Sequence, residues 1–424
     1  MTVALLLPLS ACSSGSPDPV AAEAPSPDPT PELALSYEPN DGATDRAIAQ
    51  AQALLRSEPG SADAAVQLAV VFLRKRRETS DPSLILYAES VLRAARAQHS
   101  HHAQLDLLWA MTRQERHQFD AAARIARRVV RQDADNTTAH LILGDALLEL
   151  GDYDGAADAY QRAIDLRPDL RSYNRGAHLR FLHGDFEGAV ELIELAIDAG
   201  SANDPEASAW CFVDLGHMYL SRGDGPRALA AARRALNLVP EYAPALALEA
   251  RGHALREEYA EAAAAIDRVL ERVPTAGDLL FASEVQRRLG NDARADRYES
   301  QAERLSEDEP GVLAKHYARV GTNTARALAL ASAELEARRN IAAYDAHALA
   351  LLRSGRVGAA RRSIDRALQL DTPDAELVLH RALIELAAGD RADARASLEE
   401  ALRLNPSVDP VLVAEARDGL GEDA

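Results

Sequence analysis

Small and apolar residues return along most of this chain with one long period. Ala88, Ala122 and Ala156 stand 34 residues apart, and Ala189, Ala228, Ala262 and Ala295 follow at intervals of 33 to 39. After a blurred stretch the column resumes at Ala360 and Ala394. A second column lies seven residues further on: Ala95, Val129, Ala163, Ala196, Ala235, Val269, Ala302, Ala367 and Ala401. The polar punctuation repeats with it. Gly151-Asp152-Tyr153, Gly184-Asp185-Phe186, Gly223-Asp224-Gly225, Gly355-Arg356-Val357 and Gly389-Asp390-Arg391 each precede a column residue. Glycine ends a helix in the left-handed conformation and Asp caps the next. Pro168, Pro240, Pro274 and Pro406 then mark where a second helix must stop. The pattern predicts two helices per unit, repeated across residues 44–408, with a capping helix over 409–421.

Leu143-Gly144 and Leu215-Gly216, the latter followed by Tyr219, fall in the first helix of their units. With the paired columns, they make the chain resemble the tetratricopeptide repeat (TPR) family. The resemblance covers about residues 44–408, some ten repeats after an initial half-repeat. It is most specific at 137–170, 209–242, 243–276 and 375–408. It is weaker at 44–102, where Arg74 to Pro82 reads as an insertion, and at 308–340, where the columns blur. Residues 200–208 read as a longer loop between repeats. The implied fold class is all-α: a TPR-like α-solenoid, a right-handed superhelix of antiparallel helix pairs. One hairpin cannot bury its apolar stripe alone, so neighbours stack and the row curves. First helices then line a long concave groove, and residues 409–424 supply the capping helix and tail.

The N-terminus carries a different signal. Val3-Ala4-Leu5-Leu6-Leu7-Pro8-Leu9 is too short to span a bilayer and suits the core of an export signal. Leu9-Ser10-Ala11-Cys12 resembles the lipobox of bacterial lipoproteins, which implies cleavage after residue 11 and lipidation, palmitate included, on Cys12. The alternatives are an ordinary signal peptide and a disordered cytosolic terminus. No Lys or Arg precedes the apolar run, a departure from the pattern that points to a start a few codons upstream. Prolines 17, 19, 25, 27, 29, 31 and 39 leave residues 12–43 as an extended, disordered spacer. Ser13 after the cysteine favours, by the same resemblance, the outer membrane, with the protein facing the periplasm. Cys211, the only other cysteine, should then be buried.

Composition narrows the function. The chain has 424 residues and a net charge of −19, so it repels nucleic acid, and contact with a membrane would come through the lipid anchor only. With 4% aromatics, closely packed alanine-rich helices are favoured over sheets. No P-loop, HExxH, GxSxG, CxxC or EF-hand pattern occurs, so neither an enzyme nor a cofactor is expected. His99, His101 and His102 could chelate a divalent ion but read better as polar residues of a turn. The TPR register places Thr138, Leu141, Asp145, Glu149, Val213 and Ala247 along the groove. The same register adds Arg171, Asn174, His178, Trp210, His217, Arg251, Glu284, Arg287 and Arg288, the candidate partner-binding set. Cations and Asn converging on such a groove suit a peptide's carboxylates or amides, with Trp210 as an aromatic anchor. The expected function is a non-catalytic, membrane-tethered scaffold of the bacterial envelope that binds a protein or peptide. The alternative is a soluble intracellular TPR adaptor.

Overall fold

The computed structural model describes residues 31–422 apart from 80, 273 and 306–309, and every element among them is an α-helix. The apolar run at 3–9 and Cys12 lie outside the described residues. Helices α1 (Glu32–Ser36) and α2 (Ala43–Ser57) open the chain. Hairpins follow as α3/α4 (Ala62–Thr79, Leu84–Gln98), α5/α6 (Ala103–Glu115, Phe119–Gln132) and α7/α8 (Thr137–Glu149, Tyr153–Leu166). Next come α9/α10 (Leu170–Leu182, Phe186–Asp198), α11/α12 (Pro205–Ser221, Gly225–Leu238) and α13/α14 (Ala243–Leu255, Tyr259–Leu270). The last four pairs are α15/α16 (Ala276–Arg288, Asp292–Arg304), α17/α18 (Pro310–Val320, Thr324–Ala337), α19/α20 (Ile341–Arg353, Val357–Ala367) and α21/α22 (Ala375–Ala388, Arg391–Leu404). Helix α23 (Pro410–Leu420) packs on α21 and α22. None of these helices is long and apolar enough to cross a membrane.

The alanine columns lie where helices cross. Every residue of the first column, on the second helix of its hairpin, is 0–1% exposed, and Ala327 continues it through the blurred repeat. That repeat is regular apart from one added residue in its turn. Gly321 lies 34 residues before Gly355, but Gly321-Thr322-Asn323 holds two left-handed residues, Gly321 (φ 72°) and Asn323 (φ 47°), so Ala327 and Glu334 fall one position late while Gly355 keeps the period. The second column there is occupied by the carboxylate of Glu334, buried to 8% and 3.6 Å from Arg338. Gly311 on α17 makes the room: a Cβ on it would sit 3.1 Å from the Glu334 side chain. Two further turns escape the glycine pattern because His117 (φ 55°) and Glu257 (φ 62°) take the left-handed position themselves. Asp152, Asp185 and Asp224 cap the following helices as their positions suggest, each accepting a backbone N–H at 3.0 Å.

The spacer expected to run disordered to residue 43 is corrected at its downstream end. The proline-free stretch 32–38 forms α1 behind Pro31, a residue tolerated at a helix start, and Ala34 is fully buried. Gln52 Nε2 donates to the carbonyls of Ala34 (2.8 Å) and Tyr37 (2.9 Å), while the Tyr37 ring packs edge-on against Phe72 and Tyr87. The presumed insertion at 74–82 lengthens α3, which runs to Thr79.

First helices of successive hairpins pack on one another, as α11 does on α13 and α17 on α19, whereas second helices of neighbouring hairpins scarcely meet. The row therefore curls towards its first helices. It curls tightly enough to meet itself, so the expected open trough is also corrected. The backbone N–H of Arg339 donates to the Glu149 carbonyl at 2.8 Å. Asn340 Nδ2 reaches Glu149 Oε2 (2.8 Å), and Ile341 N–H donates to the Tyr153 hydroxyl (2.9 Å). One turn of hairpins further, Thr372 Oγ1 donates to the Leu182 carbonyl at 2.6 Å. Tyr153, Leu148 and Leu182 pack into an apolar cluster with Ile341, Ile364 and Leu370. These partners lie 188 to 191 residues apart, which is six hairpins less about one helix length, because the ends of α7 and α9 meet the starts of α19 and α21. The hairpin turns of α7/α8 and α9/α10 thus seal against the loops before α19 and α21, and the groove between becomes a lumen.

Column alanines tolerate no added bulk in such crossings. Ala228→Leu should lower the urea midpoint by the equivalent of about 1–3 kcal/mol. Ala387→Leu, at an exposed position of α21, should stay within about 0.5 kcal/mol of wild type by the same circular-dichroism measurement.

Candidate binding groove

The lumen is lined by first-helix residues, and most of its charges are already spent on each other. Asp145 on α7 accepts from Arg175 of α9 through Nε (2.6 Å) and Nη2 (2.7 Å) and also from the Tyr160 hydroxyl at 2.8 Å. Burial opposes the Arg175 charge, but the Asp145 carboxylate outweighs it and holds the guanidinium above its usual range. On α11, Asp214 accepts from Asn174 Nδ2 at 2.8 Å and from Trp210. Burial still pushes its carboxyl up to about 6, against the pull of Asn174, Arg175 and Trp210. Further along, Lys315 on α17 bridges Asp345 and Glu376, each at 3.0 Å. Asp345 also holds Nδ1 of the fully buried His380 at 2.6 Å. Burial raises the cost of all three charges, yet mutual attraction keeps Lys315 and His380 above their usual values and Asp345 below its own.

The candidate residues divide accordingly. Asn174 is 8% exposed and committed to Asp214, so it is not free to hold a ligand amide. Glu284 is taken by Arg319 at 2.7 Å. Arg287 turns to Asp296 (3.2 Å) and Glu299 (2.8 Å) on α16, within its own hairpin and away from the other cations. Arg288 is exposed over the Tyr259 ring, 6.0 Å from its centroid. Arg171 is exposed and only loosely paired with Asp204 at 3.7 Å. Trp210 is 44% exposed on the same helix face as His217.

His178, His217 and Arg251 carry what is left. Both histidine rings are exposed towards the lumen and ringed by neighbouring first helices. That crowding lowers the His178 pKa, with Asp145 pulling the other way. It drives His217 down to about 4, helped by the Arg251 cation. Both are neutral at pH 7. Arg251 lies over the Phe281 ring (4.9 Å), bonds back to its own helix at Ala247 and sits 4.0 Å from Asp278. Asp278 spends its other oxygen capping α15 through Thr275, so it compensates Arg251 weakly, and burial leaves the Arg251 pKa lowered. A desolvated, poorly matched cation beside the neutral His217 and the Phe281 ring is suited to receive carboxylate, amide and apolar groups.

Arg175, Asp214 and Lys315 escaped the sequence reading. The first two lie one position beyond the register residues Asn174 and Val213, and Lys315 falls in the repeat where the columns blur. The 34-residue spacing of Gly321 and Gly355 was the signal that could have found it. Cys211 is fully buried, as expected, and burial pushes its thiol up to about 12. The histidine run does not converge: His99 Nε2 turns to the Gly60 carbonyl (2.8 Å) and His102 caps α5. Among the described residues no three His, Cys, Asp or Glu side chains meet in a metal-binding cluster.

A tetratricopeptide-repeat family model matches residues 107–170, 213–277 and 346–409. No curated protein sequence matches the chain. Among solved structures, PilW, a widely conserved type IV pilus biogenesis factor, is 21% identical. It covers 51% of this chain and 100% of its own, with a TM-score of 0.41. PilF of Pseudomonas aeruginosa is 18% identical over 48% of this chain and 91% of its own, at a TM-score of 0.40. The human IFIT1 dimer with PPP-AAAA is 14% identical over 88% and 99%, at 0.48.

Asp214 and His217 give opposite pH dependences. A carboxyl raised from 3.8 to about 6 contributes stability below pH 3.8 that is lost as pH rises through 6. An imidazole lowered from 6.5 to about 4 contributes above pH 6.5 and loses it as pH falls through 4. Urea midpoints measured from pH 4 to 6.5 should therefore rise more steeply with pH in Asp214→Asn than in wild type. In His217→Gln they should rise less or fall.

Proposed function

The chain is a tetratricopeptide-repeat protein, and from that premise we propose that it is a non-catalytic scaffold holding a protein or peptide partner in the lumen of its superhelix. The observation that carries this reading is the uncommitted band of His178, His217 and Arg251, with the exposed ring of Trp210 on the same helix face as His217. Elsewhere along the same face Asp145, Glu284 and Lys315 are bound to neighbours, so a partner has little to displace there. At Arg251 a ligand carboxylate would supply the charge that Asp278 supplies only at 4.0 Å. Arg171 at the mouth of the band offers a second cation, whereas Asn174, Glu284 and Arg287 serve the fold.

The site of action in this reading is the bacterial envelope. The support is the sequence Leu9-Ser10-Ala11-Cys12 followed by the proline-rich segment, which together describe a lipidated cysteine and a spacer. Helix α1 docks on the opening helices of the row, so in this reading the spacer would run no further than residue 31. With the partner in the lumen and the lipid on Cys12, the protein would hold its ligand at a membrane surface, the outer membrane on the periplasmic side.

Two experiments test the two halves. Chemical crosslinking in cells followed by capture of the full chain should recover a partner that Arg251→Gln with His217→Ala loses and that Arg287→Gln keeps. Equal recovery from both variants would place the partner outside the band. A palmitate analogue should label the wild-type chain and not Cys12→Ala, and an unlabelled wild type expressed from its true start would remove the membrane anchor.

A further inference from the structure

The seam between the superhelical turns decides what can reach the lumen. Six first helices from α7 to α17, set side by side at about 10 Å, close a ring roughly 60 Å round. Helices about 10–12 Å thick then leave a lumen roughly 8 Å across. An extended chain, about 5 Å by 10 Å with its side chains, enters that space where its residues are small, and a folded domain does not. Sideways entry is shut by the seam. Arg339, Asn340 and Ile341 bond to Glu149 and Tyr153, and Thr372 bonds to Leu182. Arg338 adds its guanidinium to Glu149 (3.4 Å) and lies over the Phe119 ring (5.3 Å). Burial raises the Glu149 pKa, with Arg338 and Asn340 holding it down, so this carboxylate depends on the seam for its partners.

We propose that this seam is a gate, and that the lumen is loaded with an extended polypeptide segment when residues 338–341 part from 149–153. The inference rests on the lumen reading above and supplies the class of partner: unfolded chain, not a folded surface. The seam combines a few hydrogen bonds with the small apolar cluster of Tyr153, Leu182, Ile341 and Leu370, so parting it costs less than unfolding a repeat, whose own core is left intact. The shape of the superhelix outside the seam is kept by nearest-neighbour packing, which parting does not touch.

The chain contains its own matched control. Gly151 (φ 75°) and Gly355 (φ 71°) hold the same turn position with the same backbone strain. A Cβ on Gly151 collides with the Arg339 carbonyl oxygen across the seam, and one on Gly355 meets nothing within 4 Å. Gly151→Ala therefore wedges the seam, and Gly355→Ala reproduces only the left-handed strain. Each would be combined with His217→Cys in the full chain and treated with three reagents: iodoacetamide, a disordered Gly/Ser peptide bearing a maleimide, and a small folded domain bearing the same maleimide. Labelling is read at residue 217 by mass spectrometry, which separates it from the buried Cys211.

Iodoacetamide should label all three backgrounds alike. The peptide maleimide should react roughly tenfold faster or more in Gly151→Ala than in the parent or in Gly355→Ala, and the folded domain slowly in every case. Equal peptide rates in Gly151→Ala and Gly355→Ala would overturn the gate, and a folded domain reacting as fast as the peptide would overturn the partner class. Neither result touches the partner-capture test, which asks only whether the band holds a ligand. If Gly151→Ala does not fold, Tyr153→Phe with Thr372→Val removes seam hydrogen bonds without backbone strain, and the same outcomes decide.

Discussion

The structure depends on helices crossing at alanine. With a methyl group or less at each crossing, second helices lie close against first helices, and burial at these positions is complete from Ala122 to Ala360. Close crossing on one side of a row and little contact on the other makes the row bend. The bend sets the radius, and the radius decides whether one turn of the superhelix meets the next. Here it does. The same small side chains that stabilise each hairpin therefore also determine, at a distance of more than 180 residues, that Glu149 meets Asn340 and Leu182 meets Thr372.

Closure changes the chemistry of the groove. On an open concave surface Arg175 and Asp145 would be a hydrated pair of small consequence. Inside a narrow lumen their bonds are short and bidentate, and ionised groups without a good counter-charge become costly. That cost separates the lining into two classes. Asp145, Arg175, Lys315 and Asp345 form closed networks, whereas His178 and His217 shed their protons and Arg251 is left with a counter-ion 4.0 Å away. The uncommitted residues gather on α9, α11 and α13, beginning at the seam edge formed by α7 and α9.

Much of this was legible in the order of residues. The alanine columns, the turn glycines and the terminating prolines located the hairpins, and the register brought His178, His217 and Arg251 to one face. The misjudged residues share a cause. Asn174 and Arg287 occupy groove positions by register, but an adjacent residue, Asp214 for one and Glu299 for the other, supplies a partner that register cannot show. The segment at 32–38 was read as spacer from its prolines, yet the seven residues between Pro31 and Pro39 contain none, and Ala34 and Tyr37 find an apolar seat.

By itself the sequence determined the repeating hairpin, because that unit is held by contacts within about 34 residues, and local patterns of size and polarity report such contacts directly. The tertiary structure alone decided that the groove is a closed lumen and which of its charges remain free. Closure accumulates from small rotations between every neighbouring pair, and no single residue encodes their sum. The pairing of charges then follows from which side chains that sum brings within reach.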